Sequence, residues 1–308
     1  MIKKYLRRAR DFINPHASRD WEDASLILAA KSLMSSDAWR APPIFLDPFW
    51  LQEKEFKVYS QFGDDGIIQY LIAYLCLERK GRFIEFGVGD FFESNTHFLL
   101  INNRWKGYVM DGSEENILKV QTSPIYWRYQ INAKTNYITR ENVNNLLKES
   151  GFEKIQFLHI DLDGNDYWIL SELDLSCYDP DILVLEYNAL FGKERALSVP
   201  YDPGFYRMDA HYSGKYFGAS LLALNNLAEE KGYYFIGCNS AGNNAYFLAN
   251  RHLSRIPKTN VCDGYQKNGY REARDKDGAL TYFDVDKEFD LVKGLPVIDV
   301  SSMVEVTL

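Results

Sequence analysis

Five polar side chains that could bind a cation or move a proton follow two apolar runs of this chain. Asp161 ends the first run, with Asp163 and Asp166 close behind, and Glu186 ends the second, two residues before Asn188. Because side chains alternate in an extended segment, Asp161 and Asp163 face one side, as do Glu186 and Asn188. Such hard oxygen donors suit Mg²⁺, Mn²⁺ or Ca²⁺ rather than zinc. The spacing therefore indicates either a divalent-cation site at Asp161, Glu186 and Asn188 or a set of hydrogen bonds that brace loops and cap a helix.

A glycine loop follows an earlier apolar run, where Glu85 precedes Gly87 and Gly89. Glycines at the end of a parallel strand remove the Cβ atoms that would block a nucleotide-like ligand, and they permit a positive φ. Asp111 ends the next apolar run, about 20 residues beyond the loop, a spacing that suits the hydroxyls of a ribose. The two features together predict a site for an adenosine-containing cofactor.

The composition of the glycine loop discriminates between cofactors. Phe92 stands where a dinucleotide fingerprint has its third glycine, and Asp90 and Glu93 would repel a diphosphate. The order Glu-x-Gly-x-Gly resembles motif I of class I S-adenosylmethionine methyltransferases, whose cofactor carries an ammonium and a sulfonium group and no phosphate. A dinucleotide site and a ligand-free strand–helix turn remain as alternatives.

An alternation of strands and helices must position these residues. The predicted strands are 82–87, 107–111, 125–131, 155–161 and 181–186, followed by a hairpin of 233–236 and 245–248. Five β–α units followed by an antiparallel hairpin predict an α/β fold: a Rossmann-like, seven-stranded class I methyltransferase sheet, parallel with an antiparallel last strand. The predicted domains are a helical extension at 1–58, a methyltransferase domain at 59–250 with an insertion at 189–217, and an accessory segment at 251–308.

Composition excludes several classes of function. The chain has 308 residues and a formal charge of −8, which argues against nucleic-acid binding. It contains no apolar run of about 18 residues, so we expect no membrane span. Four cysteines without C-x-x-C spacing indicate reduced thiols and a cytoplasmic protein. A cluster of basic residues near the start predicts a solvated amphipathic helix or contact with an anionic membrane surface; its members are Lys3, Lys4, Arg7, Arg8 and Arg10.

Seven motifs between about residues 55 and 250 resemble a bacterial family of FkbM-related methyltransferases. They are SQFGDDG at 60–66, FIEFGVG at 83–89, ESNT at 93–96, IDLDGNDYW at 160–168, EYN at 186–188, VPYDP at 199–203 and SAGNN at 240–244. The resemblance implies an S-adenosylmethionine-dependent O-methyltransferase that acts on a sugar or glycan-linked hydroxyl in surface-polysaccharide biosynthesis. A nicotinamide-dependent oxidoreductase and a non-catalytic module that binds a glycan or a partner protein are the alternatives.

The resemblance also implies roles for individual residues. Glu85, Gly87 and Gly89 match positions that hold the methionine end of the cofactor, and Asp111 matches the acid on the ribose. Asn132, just past the predicted third strand, matches an adenine contact. The absence of the third glycine is a departure from the motif.

The chemical step requires a group that takes the proton of the acceptor hydroxyl. His211, in the tyrosine-rich insertion, and Asp163 are the two candidates for this base. Asp161 is counted with the cofactor-binding residues as well as with the cation ligands, whereas His159, inside a strand, is expected to be a core residue.

Overall fold

The computed structural model of the protein describes residues 15–77 and 80–308. The basic cluster between Lys3 and Arg10 therefore lies outside the described residues. Side chains are described from residue 23 onward.

A seven-stranded sheet forms the centre of the molecule. Its strands are β1 (Arg82–Phe86), β2 (Lys106–Asp111), β3 (Ile131–Thr135), β4 (Phe157–Ile160), β5 (Ile182–Glu186), β7 (Tyr233–Cys238) and β8 (Asn244–Ala249). Their spatial order is β3-β2-β1-β4-β5-β8-β7. The strands from β3 to β5 are parallel, and β8 runs antiparallel to both of its neighbours. This order and polarity are those of the class I methyltransferase sheet, so the predicted fold is confirmed.

Helices cover both faces of this sheet. They are α1 (Pro15–Met34), α2 (Asp37–Arg40), α3 (Asp64–Leu75), α4 (Glu114–Thr122), α5 (Pro124–Arg128), α6 (Val143–Glu149), α7 (Asp166–Glu172), α8 (Arg207–Ala210), α9 (Leu221–Glu230), α10 (Val261–Gly264) and α11 (Val285–Val292). Short 3₁₀ segments lie at Trp50–Lys54, Ala189–Phe191 and Asn250–His252, and a π-helical turn at Leu99–Asn103. One apolar core lies on each face of the sheet. Strands β4 and β5 are buried along their whole length, because helices cover both of their faces.

The predicted third strand at 125–131 is wrong. The structure has α5 at Pro124–Arg128 and β3 at Ile131–Thr135. Pro124 sits at the first turn of α5, where its fixed φ favours a helix and its missing N–H costs nothing. As a result Asn132 lies inside β3 with an exposed side chain, not just past the strand.

A second, three-stranded sheet joins the insertion to the end of the chain. It consists of β6 (Leu197–Ser198), β9 (Pro296–Asp299) and β10 (Val304–Thr307), in the order β10-β9-β6 with antiparallel pairing. Leu197 and Val297 are fully buried beneath it in a small apolar cluster. The segment 251–308 is thereby attached to the insertion that precedes α9.

Two further properties bear on the expectations from composition. Within residues 15–77 and 80–308, every helix is too short or too polar to span a membrane. All four cysteines are free thiols; Cys238 is buried, and the other three are exposed.

Candidate active site

A cleft of ≈ 530 Å³ opens at the carboxyl ends of β1, β2 and β4. In open α/β sheets, ligands bind at the carboxyl ends of the parallel strands. Gly87, Gly89, Asp111, Asp161 and Asp163 all line it, so five of the predicted site residues come together there.

The two glycines of the loop have different reasons to be glycine. Gly87 has φ +74°, and a Cβ on it would lie 1.5 Å from the carbonyl oxygen of Asp161. Gly89 has φ +56°, but a Cβ there would meet no atom within 4 Å. Gly87 thus allows β1 and β4 to approach each other, whereas Gly89 leaves open space on the side of the cleft.

Asp111 ties the glycine loop to the next helix. Its Oδ2 accepts a hydrogen bond from the amide of Gly89 (2.8 Å). Its Oδ1 accepts from the amide of Ser113 (2.8 Å) and from Nδ2 of Asn116 (3.3 Å). Oδ2 still has room for one further donor, because a carboxylate offers about four lone-pair positions and three are taken. The carboxylate is therefore held in place at the cleft and can accept a ligand hydroxyl.

Glu85 is not at the cleft. It is 2% exposed, and its carboxylate accepts hydrogen bonds from Ser94 Oγ (2.5 Å), Thr96 Oγ1 and His159 Nδ1 (2.9 Å). Burial opposes ionisation of Glu85, but the hydrogen bonds and charge of His159, with the two hydroxyls, lower its pKa overall. Glu85 raises the pKa of His159 against the effect of burial. The two side chains form a buried hydrogen-bonded pair that joins β1, β4 and the ESNT motif.

Three carboxyl groups meet beside the cleft. Oxygens of Asp161, Asp163 and Glu186 all lie within 4.8 Å of one another. Burial, and then the charge of Asp163, raise the pKa of Asp161 to about 7. Burial and the charge of Asp161 raise the pKa of Glu186 well above its usual value. At neutral pH the pair Asp161–Glu186 therefore retains a proton, since two adjacent carboxylates do not both ionise easily.

A chain of charges that the sequence did not predict lies behind this cluster. Arg207 Nη1 is 2.8 Å from Asp163 Oδ1 and 3.5 Å from Glu272. Lys215, 1% exposed, lies 3.4 Å from Glu272 and 3.4 Å from the fully buried Glu288. The insertion supplies the two cations and the segment 251–308 supplies the two anions. No local pattern marks these residues, because they lie far apart in the chain.

Asn188 and Asp166 brace loops instead of lining the cleft. Asn188 donates to the carbonyls of Lys215 and Phe217 and accepts from the amide of Leu190. Asp166 accepts from the amides of Leu162 and Gly164. For Asn188 and Asp166, the structure has the hydrogen bonds to loop backbone that the sequence left open as one of two alternatives.

The carboxyl cluster of Asp161, Asp163 and Glu186 has the donor set for a hard divalent cation. Asp161 and Glu186 are brought together as expected, and Asp163 takes the third place. Both side-chain N–H groups of Asn188 and one lone pair of its Oδ1 are engaged by the backbone, and its role as a cation ligand stays a prediction. The buried Oε2 of Glu186 has no hydrogen-bond donor among the described residues, which leaves that oxygen available to a proton or a cation.

His211 and Asn132 lie outside the cleft lining. His211 follows α8, its Nδ1 is 2.8 Å from Ser213 Oγ, and burial and the nearby Lys276 lower its pKa. Asn132 is exposed within the edge strand β3. Asn136, one residue beyond that strand, lines the cleft where an adenine contact was expected. A correct end for β3 would have identified it from the sequence.

Three aromatic side chains form part of the remaining cleft wall. Tyr137, Phe205 and Tyr206 line it, and the last two come from the insertion. Tyr137 and Tyr206 are 62% and 56% exposed, so their rings are available to a ligand. Among the described residues that line the cleft there are three carboxylates and no lysine, arginine or histidine.

Two of the motifs form a separate polar hub. Asp64 is fully buried and accepts hydrogen bonds from Asn239 Nδ2 (3.1 Å), Asn244 Nδ2 (3.0 Å) and Tyr246 Oη (2.5 Å). The neighbouring Asp65 accepts from the amides of residues 58–60. The SQFGDDG and SAGNN motifs thus hold α3 to β8.

Comparison with known proteins gives structural likenesses only. No protein-family model matches the sequence, and no curated protein matches it. Among solved structures, the carbon methyltransferase CurJ is 15% identical, with 65% of this chain and 56% of that chain covered and a TM-score of 0.38. An S-adenosylmethionine-dependent methyltransferase from Clostridium acetobutylicum ATCC 824 is 9% identical, with 60% and 90% covered and a TM-score of 0.40.

A further likeness is to the N-terminal domain of EvdMO1 with S-adenosylhomocysteine bound. It is 12% identical, with 62% of this chain and 80% of that chain covered and a TM-score of 0.39. The alignment with CurJ spans little more than half of that protein's chain. At these TM-scores the likenesses carry no weight for function, and the fold follows from the strand order itself.

Proposed function

We propose that this protein is an S-adenosylmethionine-dependent methyltransferase. The observation that carries the proposal is the charge of the cleft, whose lining has three carboxylates and no cationic side chain among the described residues. Such a lining repels a diphosphate and favours a ligand that is cationic and has no phosphate. S-adenosylmethionine combines an adenosine with a sulfonium and an ammonium group, so it matches both the charge and the glycine loop.

The residues of the glycine loop would hold this cofactor. A Cβ on Gly89 would meet no neighbouring atom, so the loop leaves space there, and Asp111 is fixed by three donors with one acceptor position on Oδ2 left for a ribose hydroxyl. Asn136 and Tyr137 line the same part of the cleft, near where an adenine would lie. When bound, the cofactor supplies an electrophilic methyl group.

Asp161 is the base that we assign to the chemical step. It lines the cleft, and its pKa of about 7 matches a group that accepts a proton near neutral pH. Glu186 lies beside it and retains a proton over the same range. Asp163, one of the two bases predicted from the sequence, is already paired with Arg207 at 2.8 Å and is better suited to orient the acceptor.

The acceptor class that we propose is a sugar or glycan-linked hydroxyl. Tyr137, Phe205 and Tyr206 offer flat apolar faces with polar tips at the cleft, and Asp163 is half exposed beside them. These are contacts that a sugar ring can use, apolar on one face and hydroxyl-rich at its edge. The resemblance to FkbM-related enzymes supports a place in surface-polysaccharide biosynthesis.

We propose that the transfer does not require a metal ion. Arg207 already places positive charge beside Asp163, and Asn188 is committed to the backbone. A chelator should therefore leave the rate unchanged. A rate that is lost with a chelator and restored by Mg²⁺ would instead assign Asp161, Asp163 and Glu186 to a cation.

Transfer of a labelled methyl group tests the proposed function. The full chain is incubated with isotopically labelled S-adenosylmethionine and fractionated glycans, and the products are analysed by mass spectrometry. We expect the label on a glycan species with the wild type and with Asp90→Asn, which changes an exposed carboxylate outside the cleft lining. Enzyme that binds the cofactor but labels no glycan would refute the sugar acceptor. Binding of NADH without binding of S-adenosylmethionine would favour the oxidoreductase.

A further inference from the structure

A second pocket lies at the opposite end of the parallel strands, where β2 begins. It has a volume of ≈ 440 Å³, and four cationic side chains line it together with Trp105 and Tyr129. The cations are Lys80, Arg104, Lys106 and Arg128. Lys106 begins β2 and Asp111 ends it, so about 17 Å of strand separates this pocket from the cleft. The two sites are too far apart for one small ligand to occupy both.

The charge of this pocket is unusual for the protein. The chain carries a formal charge of −8, yet among residues 15–77 and 80–308 no carboxylate lines the pocket. In the part of the chain that the structure describes, none of the four cations forms an ion pair with a carboxylate. Four like charges around one cavity repel one another, and a bound anion relieves that repulsion.

The pocket is also partly preorganised. Arg104 has a left-handed backbone, φ +58°, at the end of the π-helical turn, where its amide donates to the carbonyl of Leu99. Its guanidinium lies 4.5 Å from the centre of the Tyr129 ring. Contact with an aromatic face holds a guanidinium in place while leaving its edge free to donate.

An unsatisfied donor lies in the wall of the pocket. Trp105 is 1% exposed, and its indole Nε1 has no acceptor among the described residues. A buried donor without an acceptor is unfavourable. Because Trp105 lines the pocket, a small shift of its ring would bring this buried donor to an anionic oxygen bound there, whereas a cation or an apolar ligand cannot accept from it.

We propose that this pocket binds a phosphate group, separately from the cleft. Arginine matches the geometry of phosphate oxygens, and lysine adds point charge. The phosphate can belong to a free phosphorylated molecule or to the headgroup of an anionic lipid in a bilayer. Trp127, 75% exposed, stands beside the pocket under Arg128, whose guanidinium is 4.9 Å from its ring, and it would reach a bilayer surface in the second case.

Two binding measurements distinguish these sources. Inorganic pyrophosphate is titrated calorimetrically into the full chain, and separately the chain is sedimented with phosphatidylglycerol or phosphatidylcholine vesicles. The test variant is Lys106→Gln/Arg128→Gln. The matched control is Lys258→Gln/Lys293→Gln, which removes the same charge from exposed lysines outside the pocket lining.

We expect the test variant to lose at least about tenfold in affinity for one of the two probes, while the control variant keeps the wild-type affinity. Loss of pyrophosphate binding assigns a free phosphorylated ligand, and loss of vesicle binding assigns a lipid headgroup. Equal binding by test and control variants would overturn the proposal, because the anion would then be held elsewhere. The proposal would also be overturned if the wild type bound neither of the two probes.

The indole donor gives an independent check. Trp105→Phe keeps an aromatic ring and removes only the N–H that lacks an acceptor. We expect affinity for the assigned probe to fall about tenfold, with S-adenosylmethionine binding unchanged. Unchanged probe affinity in this variant would remove Trp105 from the site.

Discussion

Two groups of acidic residues are neighbours near the carboxyl end of β5. The groups differ in their surroundings. Asp64, in the hub, accepts from two asparagine amides and a tyrosine hydroxyl. In the cleft cluster, Asp161, Asp163 and Glu186 face one another. The groups are neighbours, because Glu186 of β5 pairs in register with Asn244 of β8, which donates to Asp64.

The difference indicates which carboxylates hold the fold and which are left for a ligand. A buried carboxylate surrounded by neutral donors stabilises the folded protein, since each donor loses its partner when the carboxylate is removed. Carboxyl groups that face one another destabilise it, and their pKa values rise in response. Clusters of carboxyl groups of that kind reduce the stability of the folded protein and are typical of functional sites.

Removal of the hub carboxylate should have the largest effect on stability. Asp64→Ala leaves one side-chain N–H of Asn239, one of Asn244 and the hydroxyl of Tyr246 buried without an acceptor, while Asn239 keeps its hydrogen bond to Asn243 Oδ1. We expect the free energy of unfolding to fall by about 3–5 kcal/mol, measured by urea denaturation. Asp90→Ala, at an exposed carboxylate, should change it by less than about 0.5 kcal/mol. Similar losses in the two variants would contradict the structural role of the hub.

Removal of the cleft base should abolish most of the catalysis without loss of the fold. In Asp161→Asn we expect the rate of methyl transfer to fall by about 10²–10⁴-fold, measured with labelled cofactor in single turnover. Cofactor affinity should fall by a smaller factor than the rate, because Asp111 and Asp163 keep the acidic character of the cleft lining. In the wild type the rate should rise with pH and level off above about 7, because Asp161 must be ionised. A rate within a few-fold of the wild type would exclude Asp161 as the base.

The same substitution should stabilise the protein at high pH. Folded Asp161 keeps its proton up to about pH 7, whereas its usual pKa is 3.8. Between these values the folded state binds more protons than the unfolded state, so stability decreases as the pH rises. Asp161→Asn should therefore be more stable than the wild type by about 1–2 kcal/mol at pH 8.

That advantage should disappear near pH 4, where Asp161 is protonated in the folded wild type. Denaturation curves at several pH values measure it, with Asp90→Asn as the control that should follow the wild type. Equal or lower stability of Asp161→Asn at pH 8 would show that the carboxyl cluster is not strained.

A pair of glycines gives the smallest and most local test. Gly89 and Gly151 both have a positive φ, and a Cβ on either would meet nothing within 4 Å. Alanine at either position should cost about 1–2 kcal/mol in stability from the left-handed backbone. Only Gly89→Ala places a methyl group in the cleft, so it alone should weaken cofactor binding, by about tenfold. Equal affinities in the two variants would place the ligand elsewhere.

Local sequence patterns predicted the parts of this fold that depend on neighbouring residues. Gly87, Gly89 and Asp111 lie at strand ends, where a change of period and a glycine mark the boundary, and all three line the cleft. The third strand was misplaced because the aromatic run after Pro124 suits a short helix as well as a strand. Because the end of this strand was misplaced, Asn136 was not predicted to line the cleft.

Contacts between distant segments were not predictable in this way. Glu85 is the acidic residue of motif I, yet its side chain lies inside the protein against His159. The residues next to Glu85 in the sequence do not indicate on which side of the strand its carboxylate lies. Arg207 and Glu272 meet because the second sheet brings the insertion and the segment 251–308 together. A lone arginine and a lone glutamate 65 positions apart leave no pattern in the chain.

We propose that the cleft lined by Asp111, Asp161 and Asp163, and not the hub, receives the cationic adenosine cofactor. Calorimetric titration of S-adenosylmethionine into the full chain tests it most directly, with Asp111→Asn as the test variant and Asp90→Asn as the matched control in the same region. We predict saturable heat for the wild type and for Asp90→Asn, and an affinity at least about tenfold weaker for Asp111→Asn. Folded wild-type protein that gives no saturable heat, or an Asp111→Asn variant that binds like the wild type, would contradict the claim.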